Sequence, residues 1–138
     1  RMVVGLVGDL VHVAPEVVRL TMRAAPGRVA VTTDAVAVPA TGLPTDRAEV
    51  ADGVVRRADG TIAGGLALPD DCLRNLASLG IPLAEVLDAC GTAQRRVLGL
   101  PEVLLRPGDP ADVAVLDDAL VVTRTLRAGV EQWRAGPS

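Results

Sequence analysis

The sequence contains no phenylalanine and no tyrosine, and Trp133 is its one aromatic residue. A platform of rings for stacking bases cannot be built from that, and the chain is slightly acidic, with a net charge of -3. Its basic residues are scattered and form no stripe. These features exclude nucleic acid as the expected partner. Histidine is equally scarce: His12 stands alone, so the usual histidine-rich set of three or four zinc ligands cannot come from this chain. Cys72 and Cys90 have no partner at metal-binding or redox-motif spacing. They read as free core thiols of a reducing compartment, with a disulfide left open until distances are known. No apolar run approaches the ~20 residues of a membrane helix. Arg1-Met2 lead straight into a strand-like run, so no leader segment is expected, and no membrane partner. That run has no polar lead-in, and further protein is expected upstream.

What is present is valine, alanine and leucine, enough for the core of one domain at most. The stretch around which the chain is organised is 28–39, RVAVTTDAVAVP. Val29, Ala30 and Val31 form a short β-branched run, read as a strand buried on both faces in a parallel sheet. Asp34 follows at its carboxyl end, where α/β folds place their chemistry. Two readings stand side by side for Asp34: a functional carboxylate, or a residue that only stabilises its loop.

A second apolar run, 3–7, ends at Gly8-Asp9. Ala14-Pro15-Glu16 then opens a helix, since proline suits the first turn and an acid suits the positive end of the dipole. Val17, Thr21 and Ala24 share one face, with Val18, Met22 and Ala25 beside them, and Pro26-Gly27 stops the helix. Strand, helix, strand is the connection that joins parallel neighbours. Residues 39–45 read as loop. Asp52-Gly53 and Asp59-Gly60 are turn signals flanking Val54-Val55-Arg56-Arg57, which predicts a small antiparallel meander ending in 61–65. Gly64-Gly65 either lets a backbone approach closely or serves as a flexible joint, and the motif alone favours the joint.

Pro69 opens the next helix, with Asp70 and Asp71 in its first turn and Cys72, Leu73, Leu76 and Leu79 as its apolar stripe. Gly80 closes it. Leu83, Val86, Leu87 and Cys90 recur at helical spacing after Pro82. Gly91 either breaks this helix or lets it run on through 94–98 to Gly99. A Pro107-Gly108-Asp109-Pro110 turn feeds a strand at 113–116. A last strand is expected over 121–128, with Gly129 marking a turn before 130–133. The fold class is α/β, with a parallel part followed by a small antiparallel β layer.

Several of these stretches, in this order, resemble the N-acetylglucosamine-6-phosphate deacetylases of the amidohydrolase superfamily. Asp9-Leu10-Val11-His12-Val13 resembles the family's Asp-Gly-x-His-Val. Val31-Thr32-Thr33-Asp34-Ala35 resembles its Val-Thr-Asp-Ala strand end, with one residue extra. Ile62-Ala63-Gly64-Gly65 resembles a Leu-Ala-Gly-Ser element that follows a hairpin. Arg74-Asn75, Arg96-Val97-Leu98-Gly99 and Pro107-Gly108-Asp109-Pro110-Ala111-Asp112 match later elements. The last is shared across the superfamily and does not specify substrate.

The resemblance implies the last part of a (β/α)8 TIM-type barrel over 1–100, with a β-hairpin insertion at about 47–65. Residues 101–138 would be strands of a small β-sandwich. It implies hydrolysis of a linear amide: removal of acetate from N-acetylglucosamine 6-phosphate. Asp34 would be the catalytic residue, next to a divalent metal, zinc or iron, whose ligands lie outside this chain. His12 would bind substrate, its alternative being a histidine satisfied by backbone at a strand end. Ile62, Ala63 and Gly64 would lie along the sugar, and Asp9 would be structural. A small amino-sugar phosphate as ligand, a cytoplasmic setting and a homodimer complete the implied picture. Leu10, Gly65, Leu68-Pro69 and Gln94 depart from the family's Gly, Ser, Thr-Met and Pro. Other amidohydrolase substrates, or a non-catalytic piece that associates with another chain, are the competing readings.

Overall fold

The computed structural model describes residues 2–37, 48–103 and 105–136; the loop expected at 39–45 lies outside them. The chain is a mixed α/β protein, with eight strands in three small sheets among the described residues. Strand β1 (Val4–Val7) and strand β2 (Val29–Thr32) pair in parallel, Val4 opposite Val29 and Val7 opposite Thr32. Helix α1 (Pro15–Ala24) joins them and starts at proline as expected. Its Val18, Met22 and Ala25 are the buried stripe, whereas Val17 faces outward.

Strands β3 (Ala48–Ala51), β4 (Val54–Arg57) and β5 (Ile62–Gly65) form the antiparallel meander. Helix α2 (Pro69–Ser78) follows. The Asp71 carboxylate accepts the Leu68 N–H at 2.8 Å, capping a donor that the first turn leaves free. Helix α3 (Leu83–Leu87) runs into a π-helical turn at Asp88–Thr92 and on into helix α4 (Ala93–Val97). Gly91 therefore does not break the helix; the chain absorbs one extra residue there instead. Strands β6 (Val113–Leu116), β7 (Val122–Arg127) and β8 (Val130–Arg134) form the last antiparallel sheet.

One apolar cluster unites β1, β2, α1, α2 and α3 through Leu6, Val18, Val31, Cys72, Leu76 and Val86, with Leu116 and Leu120 leaning on it. Arg74 of α2 ties the β6–β7 turn to this core, donating to the Leu120 carbonyl at 3.0 Å while paired with Asp70 and Asp71. The parallel register sets the carboxyl ends of β1 and β2 side by side, Val7 opposite Thr32.

Candidate active site

At the end of β1 the chain turns sharply over Asp9. Its Oδ1 accepts the backbone N–H groups of Val11 and His12, each at 3.0 Å. Leu10 sits at a φ of 62°, the left-handed region that costs a branched residue of this kind about 1–2 kcal/mol. That conformation explains why a glycine suits this position of the motif. Gly8 lets α2 approach the strand end: a Cβ there would stand 2.8 Å from Val31 Cγ1 and 2.9 Å from Cys72 Cβ. Asn75 of α2 then donates to the Gly8 carbonyl at 3.1 Å.

The turn aims His12 across the sheet. Its Nδ1 lies 2.6 Å from Asp9 Oδ2, and its Nε2 lies 3.2 Å from Asp34 Oδ2. Asp9 is buried and Asp34 is 58% exposed. Burial pushes the Asp9 carboxyl up, but the His12 backbone N–H, the His12 ring and the Val11 N–H together outweigh it and hold the carboxyl below its ordinary value. Asp9 is therefore an acceptor. The His12–Asp34 contact needs one proton between its two partners to be a hydrogen bond.

Asp34 adopts a φ of 49° at the end of β2, a region aspartate tolerates better than most residues. Its carbonyl accepts the Gly65 N–H at 2.7 Å, and the Gly65 carbonyl accepts the Val36 N–H at 2.9 Å. Gly64-Gly65 is accordingly no flexible joint, contrary to the expectation from the motif. Both glycines are buried, and a Cβ on Gly64 would come within 2.3 Å of Val36 Cγ1. They are the close-approach element that docks the meander against Asp34. Ile62, opposite Arg56, and Ala63 precede them on the same strand, and their link to Asp34 runs through the two glycines.

Of the residues singled out from sequence, His12, Asp34 and Gly64 are brought together. Asp9, taken there as structural, touches His12. The cysteines lie elsewhere in the chemistry. Both are free, and burial pushes the Cys72 thiol up and the Cys90 thiol up to about 11, so neither is a thiolate nucleophile near neutrality. Among the described residues no three His, Cys, Asp or Glu side chains form a group able to hold a metal ion. Away from His12 and Asp34, a cleft of about 360 Å³ lies at the amino end of β2 around Met22, Val29 and Arg96. The polar convergence of Asp9, His12 and Asp34, not this cleft, marks the site.

No family model matches the chain. Over 142 residues it is 33% identical to the N-acetylglucosamine-6-phosphate deacetylase of Rattus norvegicus, covering 95% of this chain and 34% of the rat protein. Over 127 residues it is 35% identical to an Escherichia coli K12 protein with the provisional description N-acetylgalactosamine-6-phosphate deacetylase, covering 85% of this chain and 75% of that protein. Among solved structures, it matches a Mycobacterium smegmatis N-acetyl-D-glucosamine-6-phosphate deacetylase, an aspartate-to-alanine variant in complex with N-acetyl-D-glucosamine-6-phosphate. That match has a TM-score of 0.75 and 35% identity, and covers 94% of this chain and 37% of that one. The chain spans about a third of the length of the first curated relatives it matches. With 35% identity across three quarters of the Escherichia coli relative, the chain belongs to the family of N-acetylhexosamine-6-phosphate deacetylases.

Proposed function

We propose that this chain supplies the carboxyl-terminal part of a metal-dependent deacetylase that converts N-acetylglucosamine 6-phosphate to glucosamine 6-phosphate and acetate. In this reading 1–100 completes a (β/α)8 barrel, with the meander at about 47–65 inserted, and 101–138 contributes strands to a small β-sandwich. Asp34 is the catalytic residue; His12 and the Ile62-Ala63-Gly64 backbone hold the sugar. The native polypeptide is a cytoplasmic homodimer.

The observation that carries the proposal is the 3.2 Å approach of His12 Nε2 to a half-exposed Asp34 carboxylate at the ends of two paired parallel strands. Amide hydrolysis needs a base for water and an acid for the departing amine. A carboxylate placed there can take the proton from water and pass it to the amine nitrogen. A divalent cation, when bound, lowers the pKa of water and polarises the amide carbonyl. Asp34 would lie next to such a cation, whose ligands would come from outside this chain; among the described residues no three His, Cys, Asp or Glu side chains form a group able to hold it.

The test is acetate release by the native polypeptide that carries this chain, assayed with zinc or iron(II). Release from N-acetylglucosamine 6-phosphate, at a kcat/KM on the order of 10⁴ M⁻¹s⁻¹ or above, is the expected result. A second reading, favoured by the 35% identity to the Escherichia coli protein, has the C4 epimer as substrate. It is separated by the ratio of the two rates. Absence of acetate from both sugars removes the deacetylase reading.

A further inference from the structure

Asp9 is the one charged residue in the buried set among those described, and both its oxygens are engaged. Oδ1 takes two backbone N–H groups, and Oδ2 faces His12 Nδ1. Gly65 closes the space beyond: a Cβ there would lie 3.2 Å from Oδ2. Because an ionised carboxylate only accepts, the 2.6 Å contact requires a proton on Nδ1. The opposite ring nitrogen is then the one presented to Asp34. The geometry points to Asp9 as a positioning residue, which fixes His12 in its Nδ1-protonated form and turns Nε2 onto the Asp34 carboxylate.

A neutral imidazole has one donor and one acceptor nitrogen, so whichever group holds Nδ1 decides what Nε2 can do. With the proton on Nδ1, Nε2 offers an acceptor beside Asp34 that can orient a sugar hydroxyl. With the ring reversed, Nε2 becomes a donor and that acceptor is lost. The consequence for turnover rests on the deacetylase reading above; the state of the ring does not.

Asp9→Asn separates this role from simple capping. The carboxamide oxygen still accepts the Val11 and His12 N–H groups, while its NH₂ meets Nδ1 and demands a lone pair there. The experiment is long-range ¹H–¹⁵N NMR of ¹⁵N-histidine-labelled native polypeptide, with His12 assigned as the signal lost in His12→Gln. In the unaltered protein Nδ1 is expected to keep its proton across the whole pH range in which the fold persists. In Asp9→Asn the neutral ring is expected to carry it on Nε2 instead. Turnover of the variant should fall about 10–100-fold in kcat, with KM changed less than about threefold.

A neutral His12 protonated on Nε2 in the unaltered protein overturns the inference, and that spectrum decides even if Asp9→Asn does not fold. An unchanged ring in a folded Asp9→Asn also overturns it. A reversed ring with unchanged kcat overturns the catalytic consequence. An unaltered protein that releases no acetate sinks the deacetylase reading, while the ring spectrum still tests Asp9.

Discussion

Gly8 is the residue on which the approach of α2 to the end of β1 depends. It is buried, Cys72 Cβ and Val31 Cγ1 crowd its missing side chain, and Asn75 holds its carbonyl. Gly8→Ala is expected to destabilise by about 1–3 kcal/mol, the cost of overpacking a site with no room, read as a lower urea midpoint at unchanged slope. The same turn shows what a sequence discloses about single residues. The place of Asp34 at the carboxyl end of a β-branched strand was legible, but its role was not, because a functional carboxylate and one that stabilises its loop have the same local signature. Nor was the role of Asp9, because an aspartate that caps its own turn and one that also orients a histidine look alike in sequence. The glycine pair was misread for a related reason. Its neighbour Val36 lies far along the chain, and only the fold brings that side chain against the missing Cβ.

Elements show a different balance. The α1 and α2 boundaries, the meander and strands β6 and β7 followed from proline, turn dipeptides and apolar spacing, since each signal is local; β8 was not expected as a strand. The π-helical turn did not follow, because one extra residue leaves the apolar pattern on both sides intact. Its cause is visible in the backbone. The Ala93 N–H reaches back to Asp88, and Gln94 Nε2 supplies a donor to the Ala89 carbonyl at 2.7 Å. The same nitrogen meets the Val31 carbonyl at 2.7 Å. The Arg28 and Thr32 carbonyls turn toward β1, so that of Val31 turns to the opposite edge of β2, where Gln94 covers it. Gln94→Ala leaves both carbonyls without this donor and is expected to cost about 1–2 kcal/mol. Amide exchange should quicken in β2 and in the α3–α4 segment, with β6–β8 unaffected.

At the scale of the whole molecule, three small sheets are held to one core by few links. A two-stranded parallel pair does not stand alone. Here α1, α2 and α3 cover it, yet Leu20, Val97 and Leu98 remain exposed. The tail sheet hangs on Leu116, Leu120 and the Arg74 guanidinium. Arg74→Met keeps the side-chain stem and removes the charge, the Asp70 and Asp71 pairs and the bond to Leu120. The expected loss is ~1 kcal/mol for a partly exposed network. It should appear as faster amide exchange in β6 and β7, with β1 and β2 little changed; equal loosening of both regions would mean that Arg74 supports the core itself. No helix among the described residues is long and apolar enough to cross a membrane.

The role proposed for Asp34, at the end of β2, is to move the proton between water and the departing amine. Acetate release from N-acetylglucosamine 6-phosphate by the native polypeptide, compared with its Asp34→Asn variant at matched folding, measures that directly. Loss of turnover by about 10²–10⁴-fold with an unaltered melting temperature is the expected result. A folded Asp34→Asn protein that turns over within a few-fold of the unaltered one would contradict the account.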